Sequence, residues 1–127
     1  MKIALTGAAG HLGAAILQEL NNRKIPVKGL LRENDNRACK NLPVEIVTGD
    51  MLHTGVLDNL MQDCDTMIHC AALISVNGDP TGIVHRTNVE GTQLAIKSAL
   101  KAGIKRFVHI SSIHAYQQKP RLQVLDE

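Results

Sequence analysis

Short apolar runs alternate along the chain with longer stretches in which apolar residues recur every three or four positions. The short runs end at glycine or polar residues, which is typical of strands buried on both faces. They lie at residues 3–5, 27–31, 44–47, 66–70 and 106–110. We predict a strand at each of these positions.

The longer stretches predict helices. Residues 11–23 carry Leu12, Ile16 and Leu20 at intervals of four, so that one face of a helix is apolar. Residues 54–62 show a similar spacing and predict a second helix.

A longer helix is predicted over residues 79–102. Asp79 is suited to cap its N-terminus, Pro80 to occupy its first position, and Gly103 to end it in a left-handed conformation. The polar residues 34–40 predict a loop or a short helix.

Strands that alternate with helices predict a parallel sheet with helices on both of its faces. Right-handed crossover connections restrict such a sheet to a doubly wound topology. We therefore predict an α/β fold of the Rossmann type with strand order 3-2-1-4-5, formed by a single domain over residues 1–127.

The composition fits a globular domain and excludes other classes of protein. Fourteen basic and twelve acidic residues give a formal net charge of +2, and the chain holds one Phe, one Tyr and no Trp. It therefore lacks the basic surface and the aromatic platforms with which proteins bind nucleic acid. No apolar run approaches the ~20 residues that cross a bilayer, so we expect no membrane partner.

The cysteines and histidines indicate neither a disulfide framework nor a metal site. Cys39, Cys64 and Cys70 are odd in number and show no CxxC spacing, which predicts reduced thiols in a cytoplasmic protein. The histidines form no pair at metal-ligand helical spacing with a carboxylate.

A glycine-rich turn between the first strand and the first helix is the strongest chemical signal. Gly7 permits a tight turn, Gly10 lets the backbone approach a pyrophosphate, and Gly13 allows close packing of helix on strand. The amides that open the helix, at His11 and Leu12, would then bind phosphate with the positive end of the helix dipole. A plain glycine-rich turn is the alternative interpretation.

The G-x-x-G-x-x-G spacing, preceded by Thr6, resembles the extended short-chain dehydrogenase/reductases, the NAD-dependent epimerase/dehydratase family. Further segments are similar to family motifs in the same order along the chain, at residues 48–51, 68–72, 88–92 and 106–112. The resemblance therefore extends over the whole chain, and it implies that the glycine-rich turn binds a nicotinamide dinucleotide.

The resemblance implies roles for individual residues. Asp50, with Met51 beside it, would contact the adenine, and Ala71 and Ala72 would lie beside the phosphates on the nicotinamide side. Ser111 would pack or face the cofactor. The resemblance also implies that Ser112 is the catalytic serine. For Asn88 it implies a structural role, in which the side chain bridges neighbouring strands through hydrogen bonds.

The residue after the second strand bears on the choice between NADP and NAD. An NAD site usually carries an acid there, whereas this chain has Arg32, which can pair with a 2′-phosphate. We therefore predict NADP, with NAD as the second choice. In the alternative, Arg32 faces solvent and Glu33 binds the ribose. Arg37 and Lys40 could add positive charge to the same pocket.

In the family a Ser, a Tyr and a Lys carry out the acid–base chemistry, and the Tyr and Lys stand four residues apart. The only tyrosine here is Tyr116, and Pro120 stands where that Lys would be. We therefore expect a sheet truncated after its fifth strand, with the substrate-binding part absent and no turnover by these 127 residues alone. The exposed edge and helix faces would favour a homo-oligomer.

The sequence favours the cofactor-binding part of an NADP-dependent reductase or epimerase that acts on a carbonyl or hydroxyl carbon of a small molecule. Its similarity is greatest to dihydroflavonol-reductase-like members of the family. Two alternatives stay open, a non-catalytic module that senses NADP and a sugar-nucleotide epimerase or dehydratase that uses NAD.

Overall fold

The computed structural model describes residues 1–33, 35, 39 and 41–112. In this part of the chain five parallel strands form one sheet with the order β3-β2-β1-β4-β5. The strands are β1 (Ile3–Thr6), β2 (Val27–Leu31), β3 (Glu45–Thr48), β4 (Thr66–His69) and β5 (Arg106–His109). The predicted fold class and strand order are confirmed, and no strand end differs from its prediction by more than one residue.

Helices connect the strands on both faces of the sheet. Helix α1 spans His11–Asn22 and α2 spans Thr54–Met61. A longer helical run follows β4 and is divided into α3 (Ile83–His85), a π segment (Arg86–Glu90) and α4 (Gly91–Ala102). The π segment has one extra residue per turn, a feature that often marks functional sites.

The predicted start of the long helix is wrong by three residues. Asp79 and Pro80 lie in a turn, and the helix begins at Ile83 because Gly82 adopts a left-handed conformation with φ of 70°. The Asp79 carboxylate still accepts hydrogen bonds from the amides of Val84 and His85, at 3.0 and 2.8 Å. These bonds hold the pKa of Asp79 below its usual value.

The end of that helix is as predicted. Gly103 has φ of 70° and follows Ala102 directly. Its amide and that of Ile104 donate to carbonyls of the last turn, those of Leu100 and Ala99. The segment 34–40, predicted as loop or short helix, lies largely outside the described residues.

Two apolar clusters hold the layers together, one on each face of the sheet. Ala4 of β1 packs with α2 and α4, where Leu57 and Ala95 are fully buried. Leu5, the next residue of β1, packs on the opposite face with Leu17 of α1. Since neighbouring residues of a strand point to opposite faces, this burial explains the unbroken apolar run at residues 3–5 of β1.

Among the described residues, none of the helices has the length and hydrophobicity that a membrane span requires. The described residues also contain no group of three or more His, Cys, Asp or Glu that could hold a metal ion.

Candidate functional site

A crevice of about 750 Å³ opens at the carboxyl ends of β1 to β4. Its walls come from the turns that follow those strands, and Ile83 and Thr87 of the long helical run complete them. This is the position where open α/β sheets bind ligands, because the strand order reverses beside β1 and leaves a gap between the crossover connections.

The turn after β1 requires glycine for its shape. Gly7 has φ of 70°, and a Cβ there would lie 2.8 Å from the amide nitrogen of Ala71. A Cβ on Gly13 would collide with the carbonyl of Gly7. The turn is closed by the amide of Gly10, which donates to the Gly7 carbonyl at 2.9 Å. The geometric tasks inferred for Gly7 and Gly13 therefore match the structure.

The N-terminus of α1 is open to an anion. Gly10 precedes the helix and offers no side-chain cap, and the first turn of the helix holds no acidic residue. The first amides of an α-helix have no acceptor within the helix, so they are suited to bind phosphate oxygens. His11 and Leu12 are exposed on this turn, while Gly13 is buried beneath it. Only Gly7 and Gly10 of the predicted turn residues line the crevice.

The end of β2 brings charges of both signs to the crevice. Arg32 and Glu33, which follow Leu31, are exposed and both line the crevice. Asp35 also lines it and is half-buried, which the sequence analysis did not identify. The sequence shows an acid three residues beyond Arg32, but this spacing alone does not place it at the crevice. In the structure the Asp35 amide donates to the Arg32 carbonyl at 3.2 Å, and this bond keeps Asp35 close to the end of β2.

The turn after β3 places a carboxylate on the opposite wall. One oxygen of Asp50 accepts a hydrogen bond from the amide of Leu52 at 2.9 Å, which fixes the orientation of the side chain. Met51 is buried, and its methyl group occupies the space that a side chain at Gly91 would need. Both Asp50 and Met51 line the crevice.

The loop after β4 forms the third wall. Ala71 and Ala72 line the crevice beside Cys70, and burial raises the pKa of the Cys70 thiol, so this side chain is a weak nucleophile at neutral pH. The Asn88 side chain binds the backbone of Leu73 in this loop. The structural interpretation of Asn88 is thus supported, although the bonds run to a loop rather than between strands.

The two serines lie farther along the sheet. Ser111 and Ser112 follow β5 and are exposed, and neither is part of the lining of the crevice. The amide of Ile110 donates to the carbonyl of His69 at 3.1 Å, which continues the pairing of β5 with β4 up to this point. Tyr116, Arg37 and Lys40 lie outside the described residues.

Known proteins of similar sequence and structure share this architecture. A model of the NAD dependent epimerase/dehydratase family matches residues 3–127. The sterol demethylase protein B of Methylococcus capsulatus is 31% identical over 122 residues, which are 95% of this chain and 37% of that protein. A presumed dihydroflavonol 4-reductase of Synechocystis is 36% identical over 126 residues, 97% of this chain and 36% of that protein.

A solved structure agrees with the sequence matches. The Bordetella bronchiseptica enzyme WbmH, in complex with NAD⁺, superposes with a TM-score of 0.82 at 27% identity, covering 96% of this chain and 42% of that one. The chain thus spans less than half the length of the proteins it matches. Because the family model covers nearly every residue, the chain belongs to the NAD-dependent epimerase/dehydratase family.

Proposed function

We propose that the crevice binds NADP and that the chain is the cofactor-binding part of an oxidoreductase. The observation that carries this proposal is the turn at Gly7, whose left-handed backbone lies against Ala71 and leads into the open N-terminus of α1. The NAD⁺ complex of the structurally similar Bordetella enzyme supports it.

The walls of the crevice suggest how the dinucleotide is oriented. The diphosphate would lie at the first turn of α1, against the amides of residues 10–13, where the helix dipole is positive. The adenine would lie between the turns after β2 and β3, within reach of Asp50. The nicotinamide half would then extend towards Ala71 and Ala72 on the other side of the glycine turn.

Arg32 favours NADP over NAD. Its guanidinium is suited to pair with a 2′-phosphate through charge-assisted hydrogen bonds. Glu33 and Asp35 line the same wall and would repel that phosphate. The preference for NADP or NAD therefore depends on which side chain contacts the adenosine ribose. We propose that Arg32 does so, because it follows β2 directly.

Ser112 is the residue we propose for hydrogen bonding to the oxygen of a substrate carbonyl or hydroxyl. The 127 residues contain no Tyr-x-x-x-Lys pair, so we expect them to bind the dinucleotide without turnover by themselves.

The names of the relatives support an apolar substrate. They include a sterol demethylase protein, a ketoreductase of a farnesyl quinoline oxide and a ceramide reductase, at 31–34% identity. We propose that the complete enzyme reduces a carbonyl, or oxidises a hydroxyl, on a small apolar molecule. A dTDP-glucose 4,6-dehydratase at 33% identity keeps a sugar-nucleotide substrate as the alternative.

The test is a titration of the chain with NADPH and NADH, followed by the fluorescence of the reduced nicotinamide and by calorimetry. We expect saturable binding of one dinucleotide per chain, with NADPH bound at least severalfold more tightly. Equal affinity or a preference for NADH would contradict the NADP assignment. Failure of both to bind at millimolar concentration would contradict the dinucleotide site.

A further inference from the structure

His69 lies beneath the crevice at the end of β4, and only 1% of its surface is exposed. Both ring nitrogens are within hydrogen-bonding distance of a threonine hydroxyl. Nδ1 lies 2.8 Å from Oγ1 of Thr6, and Nε2 lies 3.0 Å from Oγ1 of Thr92. A histidine between two hydroxyls can adopt either tautomer, so the neighbouring bonds decide which nitrogen carries the proton.

The Thr92 hydroxyl determines whether Nε2 of the His69 ring carries a proton. It donates to the carbonyl oxygen of Asn88 at 2.7 Å, and a carbonyl can only accept. The single proton of Thr92 is therefore used in that bond. Towards His69 the Thr92 oxygen must accept, so Nε2 of the ring carries a proton.

The Thr6 hydroxyl determines the direction of the hydrogen bond at Nδ1, the other nitrogen of the ring. Its oxygen accepts from the amide of Ala71 at 3.3 Å and lies 2.8 Å from Nδ1 of His69. In a neutral ring with its proton on Nε2, Nδ1 can only accept, so the Thr6 hydroxyl donates to it. If Nδ1 also carried a proton, the buried Thr6 hydroxyl would lose this acceptor, which is costly for a buried polar group. The neutral ring with its proton on Nε2 satisfies every group in the chain of bonds.

The surroundings of the ring also favour the neutral form. The titratable group that faces it is His109 on β5, which stacks at a ring-centroid distance of 5.6 Å with an angle of 22° between the planes. Phe107 on the same strand contributes an apolar ring at 6.1 Å. Thr6 of β1 and Thr92 of α4 are the neutral partners on the other elements.

This chain of hydrogen bonds joins three segments that line the crevice. Thr6 precedes Gly7 of the glycine turn, and Ala71 lies in the loop after β4. At the other end Asn88 belongs to the π segment and binds Leu73 of that loop. A shift of the ring would therefore move the glycine turn relative to the loop that it packs against.

We propose that His69 is a positioning residue, which in its neutral Nε2–H tautomer holds the glycine turn, the Ala71 loop and the π segment in register beneath the dinucleotide crevice. The inference rests on the proposed function for its ligand. The hydrogen-bond order itself can be tested without any ligand.

The first experiment measures the ¹⁵N shifts of the His69 imidazole in the unliganded chain at pH 7. We expect a protonated Nε2 and an unprotonated Nδ1. A ring protonated on Nδ1, or on both nitrogens, would overturn the proposal. A chain with the expected tautomer that binds no dinucleotide would overturn the proposed function and the positioning role, while the bond order would stand.

The second experiment compares two substitutions of the same residue. Thr92→Val removes the acceptor for His69 and the donor to Asn88, whereas Thr92→Ser keeps the hydroxyl. For the loss of a buried hydrogen bond we expect the Kd for NADPH to rise about five- to tenfold in Thr92→Val, and to stay within about twofold of wild type in Thr92→Ser.

Thr54→Val, at the exposed start of α2, is the matched control and should bind like the wild type. If Thr92→Val folds, as shown by circular dichroism, and binds NADPH with wild-type affinity, the positioning role is overturned. If Thr92→Val does not fold, the Thr92→Ser variant decides. A changed His69 tautomer or a weakened binding of NADPH in Thr92→Ser overturns the positioning role, whereas an unchanged tautomer together with unchanged binding supports it.

Discussion

The side chain of Asn88 binds both backbone groups of Leu73. Its Oδ1 accepts from the Leu73 amide at 2.8 Å, and its Nδ2 donates to the Leu73 carbonyl at 2.9 Å. The pair therefore replaces the two bonds that a neighbouring strand would supply, at the point where β4 has ended and its loop begins. Through this pair the π segment is attached to the wall of the crevice.

Replacement of Asn88 should destabilise the fold. Asn88→Ala removes both bonds and leaves a partly buried amide and carbonyl of Leu73 without these partners, so we expect a loss of about 1–3 kcal/mol in the free energy of unfolding. Urea unfolding measures this loss. Asn59→Ala, on an exposed position of α2, should change stability by less than about 0.5 kcal/mol. Equal effects of the two substitutions would contradict the role of the Asn88–Leu73 pair.

Gly7 should tolerate no side chain. Its φ of 70° and the 2.8 Å approach to the Ala71 amide make Gly7→Ala unfavourable in two ways, and we expect a loss of about 2–4 kcal/mol. Gly55→Ala is the control, because that glycine lies in α2 with no atom near a Cβ. Removal of a helical glycine should stabilise by about 0.5–1 kcal/mol. Thermal unfolding of both variants measures these changes in stability. A Gly7→Ala variant as stable as the wild type would be inconsistent with this backbone geometry.

His69 should make stability depend on pH below neutrality. Burial, and to a smaller extent the charge of His109, lowers the pKa of His69 from 6.5 to about 4. Between these values the unfolded chain binds more protons than the folded one. The contribution of the neutral ring is therefore complete above the unfolded pKa and is lost as the pH falls towards the folded pKa.

The expected loss from this ring is about 3 kcal/mol across that interval, at 1.36 kcal/mol per pKa unit. Urea unfolding at several pH values measures it. His69→Gln should reduce the slope of this dependence. A slope that is unaffected in His69→Gln would show that His69 is not the titrating group.

Arg32 should determine the choice of dinucleotide. Since charge-assisted hydrogen bonds contribute about 1.5–3 kcal/mol, Arg32→Ala should raise the Kd for NADPH about ten- to a hundredfold. The Kd for NADH should change by less than about threefold. Arg106→Ala, at the start of β5, serves as the control for the loss of one positive charge. Equal weakening of NADPH and NADH binding by Arg32→Ala would contradict a contact with the 2′-phosphate.

Strands β1 and β2 could be predicted because they are buried on both faces of the sheet. The four residues of β1 and the five of β2 are all buried, so no polar alternation obscures the apolar runs. The position of the glycine turn then followed from the end of β1, and with it the location of the crevice. These features are local in sequence.

The features that were missed depend on tertiary structure. The late start of the long helix depends on the left-handed conformation of Gly82. The sequence does not indicate it, because Asp79 and Pro80 just before it have the pattern of an ordinary helix start. Asp35 reaches the crevice only through the path of a loop. The bond from Asn88 to Leu73 spans 15 residues, so no pattern of neighbouring residues indicates it.

Binding of a dinucleotide at the first turn of α1 is tested most directly by amide NMR spectra of the ¹⁵N-labelled chain during a titration with NADPH. We expect the largest shift changes at the amides of residues 7–13 and at Ala71, with smaller changes at Asp50. Spectra in which these amides do not move at millimolar NADPH, or in which the changes lie elsewhere on the chain, would contradict the proposed site.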